Sequence, residues 1–291
     1  MYKAIAANKR NTVIIMAMFI GIVTAIGWAL SYLNGSPWLT PWILVGALIY
    51  ALIQYFAAGK LAVAMTGAKE IQKRDNPRLW RIVENLSITS GMPMPKVYVI
   101  DDPAPNAFAT GRNPENAIVA ATTGIMEVMN DRELNAVMAH EMGHVKNYDI
   151  RVSMIAFGLA SAIGILSDIA LRMLWFGGNN RQNTHPAVML VGIVVIVLAP
   201  IAAALVQSAV SRQREYLADA TGALTTRDPE ALADALGKLQ SYGRPMKRQN
   251  TATAHLFFSN PLRSGFLSNI FSTHPPLEDR IARLRNNLTS M

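Results

Sequence analysis

The sequence predicts a mainly α-helical integral membrane protein, with about four transmembrane helices and an α+β cytoplasmic domain that a membrane hairpin splits in two. Three observations carry that prediction. Charged residues make up 16% of the 291 positions, against roughly 25% in soluble domains. Apolar residues reach 51% and mean hydropathy is +0.22. The charges are also segregated, with none between Arg10 and Lys60 and none between Gln182 and Ser211.

The first uncharged window holds two apolar blocks, Thr12 to Leu33 and Trp42 to Gly59, on either side of Asn34-Gly35-Ser36-Pro37. About 20 helical residues cross a bilayer core, so both blocks can span, joined by a tight turn. Trp28, Tyr32, Trp38 and Trp42 fall where interfacial aromatics belong. A cleaved signal peptide is the alternative for the first block, but its 22 residues exceed the apolar core of about 7 to 15 that such peptides carry. Residues 1–59 are therefore read as an amino-terminal transmembrane hairpin. A second hairpin, residues 152–210, pairs Val152 to Phe176 with Pro186 to Val210 across the polar loop from Gly177 to Asn183. Asp168 and Arg172, four apart in the third block, can neutralise each other on one helix face; a helix lying in a groove of the protein is the other reading of that block.

Lys3, Lys9 and Arg10 flank the first block, and the loop from Asn34 to Pro41 has no basic residue. The hairpin thus begins and ends in the cytoplasm, which makes residues 60–151 and 211–291 two parts of one cytoplasmic domain. The net charge of +8 does not indicate nucleic acid: residues 60 to 151 carry 11 basic and 11 acidic side chains, and the surplus flanks the apolar runs. A lipid surface is the partner that placement suits. With no cysteine in the chain, disulfide frameworks, thiolate nucleophiles, iron–sulfur ligation and cysteine-type zinc sites are excluded.

In the first cytoplasmic part, Pro77 to Ser90 has helical spacing at Leu79, Ile82, Val83 and Leu86, and Gly91-Met92-Pro93 ends it. Lys96 to Ile100 and Asn116 to Ala120 read as short strands around a turn-rich segment, Asp101 to Glu115. Asp131 is expected to cap a helix whose apolar face carries Leu134, Val137 and Met138.

That helix contains His140-Glu141-Met142-Gly143-His144. Four helical residues advance about 400°, so the two imidazoles lie one turn apart on nearly one line and can reach one ion. Glu141, turned about 100° from the first imidazole, suits the role of general base beside the open coordination position of a zinc ion, the arrangement for metal-assisted amide hydrolysis. Gly143 costs the helix about 1 kcal/mol relative to alanine, which implies close approach of another element or of substrate. Catalytic zinc usually takes three protein ligands and a water. The strongest third candidate is Glu215, with Asp219 four residues on to accept a ring N–H from a ligand histidine. A solvated amphipathic helix with Arg212 and Arg214 as partners is the competing reading. The topology favours ligation, because the motif helix runs into the third block and the fourth runs out into Glu215.

These residues, together with Asn106-Ala107-Phe108-Ala109-Thr110-Gly111, Thr273-His274-Pro275-Pro276-Leu277-Glu278-Asp279-Arg280-Ile281 and the amino-terminal hairpin, closely resemble the HtpX family of membrane-integrated zinc metalloproteases, relatives of the CAAX prenyl endopeptidases. The resemblance spans essentially the whole chain. It implies a zincin-like catalytic domain with one Zn2+ per chain, in an endopeptidase of the bacterial cytoplasmic (inner) membrane whose site faces the cytoplasm. The implied substrates are misfolded or damaged membrane proteins in stress-related quality control, with no nucleic acid partner; the sequence carries no signal of oligomeric state. Asn106 to Gly111 and Ile118 to Thr122 can offer a strand edge and an amide to an extended substrate, or a turn whose asparagine satisfies its own backbone. His274 and Arg280 can stabilise the oxyanion, or serve as a structural cap and a surface arginine. Tyr216 is a further possible oxyanion donor, with aromatic packing as its alternative. Two other functions compete: processing of lipidated peptides, and a membrane scaffold or transporter with a structural metal, in which Asp168 and Arg172 would be the working pair.

Overall fold

The computed structural model describes residues 2–33, 38–156, 158–159, 212–248, 256–259 and 275–288. The chain forms two compact units, one made of Met1–Asn8, Gly59–Met154 and Val210–Met291, the other of Lys9–Ala58 and Ile155–Ala209. Most of the third predicted span, with Asp168 and Arg172, and all of the fourth lie outside the described residues, as does His274.

Helices α1 (Tyr2–Leu33) and α2 (Leu39–Thr66) supply most of the described residues of the second unit. Both are longer than the apolar blocks alone. Phe19 and Tyr50 meet between them with ring centroids 5.8 Å apart, while Trp28, Trp42, Leu52, Ile53 and Phe56 face outward. Ile5–Ala25 and Thr40–Thr66 are long and apolar enough to cross a membrane, and only 22% and 11% of their apolar windows is buried. A core helix of a soluble protein would be mostly covered; a helix that keeps its apolar side chains outward suits lipid.

The first unit holds a four-stranded mixed sheet in the order β1-β2-β4-β3. The strands are β1 (Lys69–Glu70), β2 (Lys96–Ile100), β3 (Ala107–Gly111) and β4 (Ala117–Thr122). β2 and β4 run parallel with Val97 opposite Val119, and the outer strands are antiparallel to their neighbours. Strand β3 lies inside the segment expected to be turn-rich, in the stretch whose other reading is a strand edge. Ala-Phe-Ala-Thr-Gly has little intrinsic β preference, so its extended form follows from pairing with β4 rather than from propensity.

Helix α3 (Pro77–Ser90) matches its expected bounds: the Asn76 side chain accepts from Leu79 N, Pro77 opens the first turn, and Gly91 closes the helix in a left-handed conformation with φ 65°. Helix α4 (Thr123–Val128) is short and capped by Thr122. Helix α5 (Asp131–Lys146) is capped by Asn130, one residue before the expected Asp131. Asn130 and Glu133 form a reciprocal capping box, which satisfies two amide donors that Asp131 alone would not. Helices α6 (Arg212–Thr226), α7 (Pro229–Tyr242) and α8 (Leu277–Leu288) lie in the carboxyl-terminal part of the same unit. The core lies between the sheet, α3, α5 and α7, with Leu79, Val83, Leu134, Val137, Met138 and Leu236 all at 0% exposure. Each such side chain contributes about 1.5–3 kcal/mol by leaving water. This holds α5 rigidly from its cap to the motif at its carboxyl-terminal end.

Candidate metal centre

On α5, the rings of His140 and His144 stand 4.7 Å apart between centroids, with their Nε2 atoms 3.2 Å apart. Helix α6 crosses α5 and brings Glu215 to the same point: its Oε1 is 3.4 Å from His144 Nε2 and its Oε2 is 3.8 Å from His140 Nε2. One donor atom from each residue lies within 4.8 Å of the others. Donors in a tetrahedral zinc site with bonds of about 2.0–2.2 Å are roughly 3.3–3.6 Å apart. The three side chains are thus spaced as a bound divalent cation would need them.

The donors' electronic state fits as well. His140 Nδ1 lies 2.8 Å from Asp219 Oδ1 and His144 Nδ1 lies 3.1 Å from Asp149 Oδ2. Each carboxylate takes a ring N–H and leaves Nε2 to act as a donor, the usual support for a ligand imidazole. Burial pushes His140 down to about 4, assisted by the Arg280 charge and opposed by the Asp219 hydrogen bond. Burial also acts downward on His144, but the Asp149 hydrogen bond and the Glu215 and Asp149 charges outweigh it and push that imidazole up to about 9.

Asp219 is itself held from behind. Arg280 donates to it through Nε at 2.9 Å and Nη2 at 2.6 Å, with its Nη1 3.7 Å from Glu215 Oε2 and its guanidinium 5.0 Å from the Phe258 ring. Burial works to raise the Asp219 carboxyl, but the Arg280 charge and the His140 hydrogen bond overcome it and hold that carboxyl at about 2. Arg280 is 0% exposed. The surface-arginine reading is thus corrected: a planar fork paired with a buried carboxylate satisfies both charges where water cannot.

Glu141 is buried and lines one small cavity, of about 40 Å³, together with His140, His144, Glu215 and Asp149. That volume suits an ion and a water or two. Asn106 lies elsewhere: its Nδ2 donates to Ser259 O at 2.8 Å, and its Oδ1 accepts from Ser259 N at 3.0 Å and from Ala107 N at 3.1 Å. Phe257 and Phe108 form an antiparallel bridge and Phe258 N donates to Ala107 O at 2.8 Å, so residues 256–259 pair with the outer edge of β3. Tyr216 stacks under the Arg283 guanidinium at 3.8 Å, in line with its packing alternative. Sequence reasoning missed Asp149. It follows Tyr148, a non-glycine residue at φ 61°, which turns the chain back after α5 and takes Asp149 out of any helical register with His144.

The helix crossing depends on two glycines. A Cβ on Gly143 would lie 3.3 Å from Ala218 O, and one on Gly222 would lie 2.9 Å from His140 N, so α6 is the element whose approach Gly143 permits. Gly222→Ala should gain about 1 kcal/mol from helix propensity but lose about 1–3 kcal/mol to the clash. Because α6 must retreat from rigid backbone, metal affinity should also fall at least about tenfold. Zinc titration and thermal melting check this; unchanged zinc affinity would show that the crossing distance does not set the donor spacing.

Comparison with known proteins gives the family. Peptidase family M48 matches residues 73–288. The protease HtpX homologue of Tropheryma whipplei (strain Twist) is 56% identical over 285 residues, 98% of each chain, and that of Lactobacillus acidophilus is 45% identical over 98% of this chain and 99% of its own. The fold resembles the crystal structure of S. mikatae Ste24p, with a TM-score of 0.53 at 19% identity over 98% of this chain and 67% of that one. Helix α5 and Glu215 both fall within the matched region, and the chain belongs to peptidase family M48 as a metallopeptidase of the HtpX group.

Proposed function

We propose that the chain is a zinc-dependent endopeptidase of the bacterial cytoplasmic membrane that hydrolyses peptide bonds in misfolded or damaged membrane proteins, with its site on the cytoplasmic side, as part of stress-related quality control. The observation that carries this reading is the convergence of His140, His144 and Glu215, with Glu141 in the same cavity. Those three side chains would hold the ion. Zinc, when bound, polarises the scissile carbonyl and makes water a competent nucleophile at neutral pH. Glu141 then accepts the proton of the attacking water on its carboxylate and returns it to the amide nitrogen as the C–N bond breaks. Asp219 and Asp149 keep the imidazole Nδ1–H bonds engaged throughout, so both Nε2 atoms stay directed at the cavity. The outward apolar faces of α1 and α2 and the basic residues before the first block support a membrane setting with this orientation.

The test is cleavage of β-casein by the full chain in detergent. Activity should disappear on chelation and return with about one equivalent of zinc per chain. Activity that ignores chelation would overturn the reading. A strong preference for a lipidated carboxyl-terminal peptide over casein would favour lipidated-peptide processing instead.

A further inference from the structure

The two imidazoles of the site are supported unequally. Behind His140 stands a charged pair, Asp219 with Arg280. Behind His144 stands Asp149, and the group nearest that carboxylate is a neutral amide from α1. Asn8 is 6% exposed. Its Nδ2 donates to Asp149 Oδ1 at 2.7 Å and to Asn147 O at 2.8 Å, while the other oxygen, Asp149 Oδ2, faces His144 Nδ1. Arg214 Nε is more distant, at 3.9 Å from Asp149 Oδ1. Compactness groups Met1–Asn8 with the unit that carries the site and leaves the rest of α1 to the other unit.

A carboxylate bonded through one oxygen alone can still swing about its two side-chain torsions. A donor on the second oxygen removes that freedom, and an amide does so without adding charge beside His144. We infer that Asn8 is a positioning residue for the metal centre. It fixes Asp149, which fixes the Nδ1–H of His144, and so it keeps His144 Nε2 aimed where the three donors converge. This rests on the zinc reading above, and it gives the amino-terminal helix a part in the site beyond that of an anchor.

The experiment measures zinc affinity of the full-length chain in detergent by competition with a chromophoric chelator. Asn8→Leu keeps the branched shape of the side chain and removes the donor. Its zinc dissociation constant should rise about tenfold, the lower end of the range for groups that orient ligands. Asn8→Gln, which keeps the amide, should recover most of that loss. In an Asp149→Ala background, Asn8→Leu should shift the constant by less than about twofold, because a residue acting through Asp149 has nothing left to act on. Wild-type zinc affinity in Asn8→Leu would overturn the inference, and so would an equal loss in both backgrounds. Should Asn8→Leu fold poorly, as judged by circular dichroism of the zinc-free chain, Asn8→Ala enters the same cycle and is decided by the same two outcomes. A wild-type chain with no measurable zinc affinity would instead overturn the peptidase reading on which the inference stands.

Discussion

Glu141→Gln is expected to bind zinc with near wild-type affinity and to cleave casein about 10² to 10⁴ times more slowly, the usual contribution of a positioned general base. Glutamine keeps the shape of the side chain in a cavity of about 40 Å³, so the donors of His140, His144 and Glu215 remain where they are. What disappears is the ability to take a proton from water. The comparison with Glu215→Gln sharpens the result. Glu215 belongs to the group of three donors, so its loss should appear first as weaker metal binding, whereas Glu141→Gln should affect kcat with metal occupancy intact. A Glu141→Gln enzyme that cleaves at the wild-type rate would remove Glu141 from the base role.

Arg280→Met should be the most destabilising single substitution in the site. Methionine fills much of the arginine's space, but Asp219 is left buried against His140 without the guanidinium that compensated its charge. Breaking a buried pair by removing one member costs about 3–5 kcal/mol, because the surviving charge has lost its compensation. A fall in melting temperature on the order of 10 °C is expected, measured in detergent on the zinc-free chain so that metal binding does not mask it. Arg280→Lys should lose less in stability, since it restores the charge, yet not all, since a single ammonium cannot reproduce two parallel hydrogen bonds to one carboxylate. A melting temperature for Arg280→Met within about 2 °C of wild type would show that the pair stabilises nothing.

Much of this site was legible before any coordinates because its parts obey helical periodicity. His140 and His144 share a face of α5, Glu215 and Asp219 share a face of α6, and both spacings are read directly from the order of residues. Asn130 and Gly143 were nearly as readable: the cap was placed one residue late, and the glycine pointed to a close approach without naming Ala218 as the partner. The unread parts depend on contacts between distant segments. Asp149 follows a left-handed residue that breaks the helical register, Asn8 reaches it across 141 positions, and Ser259 meets Asn106 across 153. Arg280 reads from the sequence either as an oxyanion contact or as a surface arginine, the usual place for an isolated one; the paired carboxylate makes its burial tolerable. β3 lies in a segment that reads as turn-rich, with a strand edge as the other reading of Asn106 to Gly111, and its extended form is imposed from both sides.

The outer rim of that strand is the feature whose consequence reaches furthest. Ala107 O and the Asn106 amide already hold partners in residues 256–259, so any incoming extended chain that takes this rim must first evict them. Swapping one set of backbone hydrogen bonds for another is nearly neutral, since each is worth only about 0.5–1.5 kcal/mol net. The eviction cost lies instead in Phe257 and Phe258, both almost fully buried, at about 1.5–3 kcal/mol for each phenyl ring returned to water. A newcomer would therefore compete mainly against two aromatic rings, and a polypeptide that brings comparable apolar bulk would meet that cost most readily.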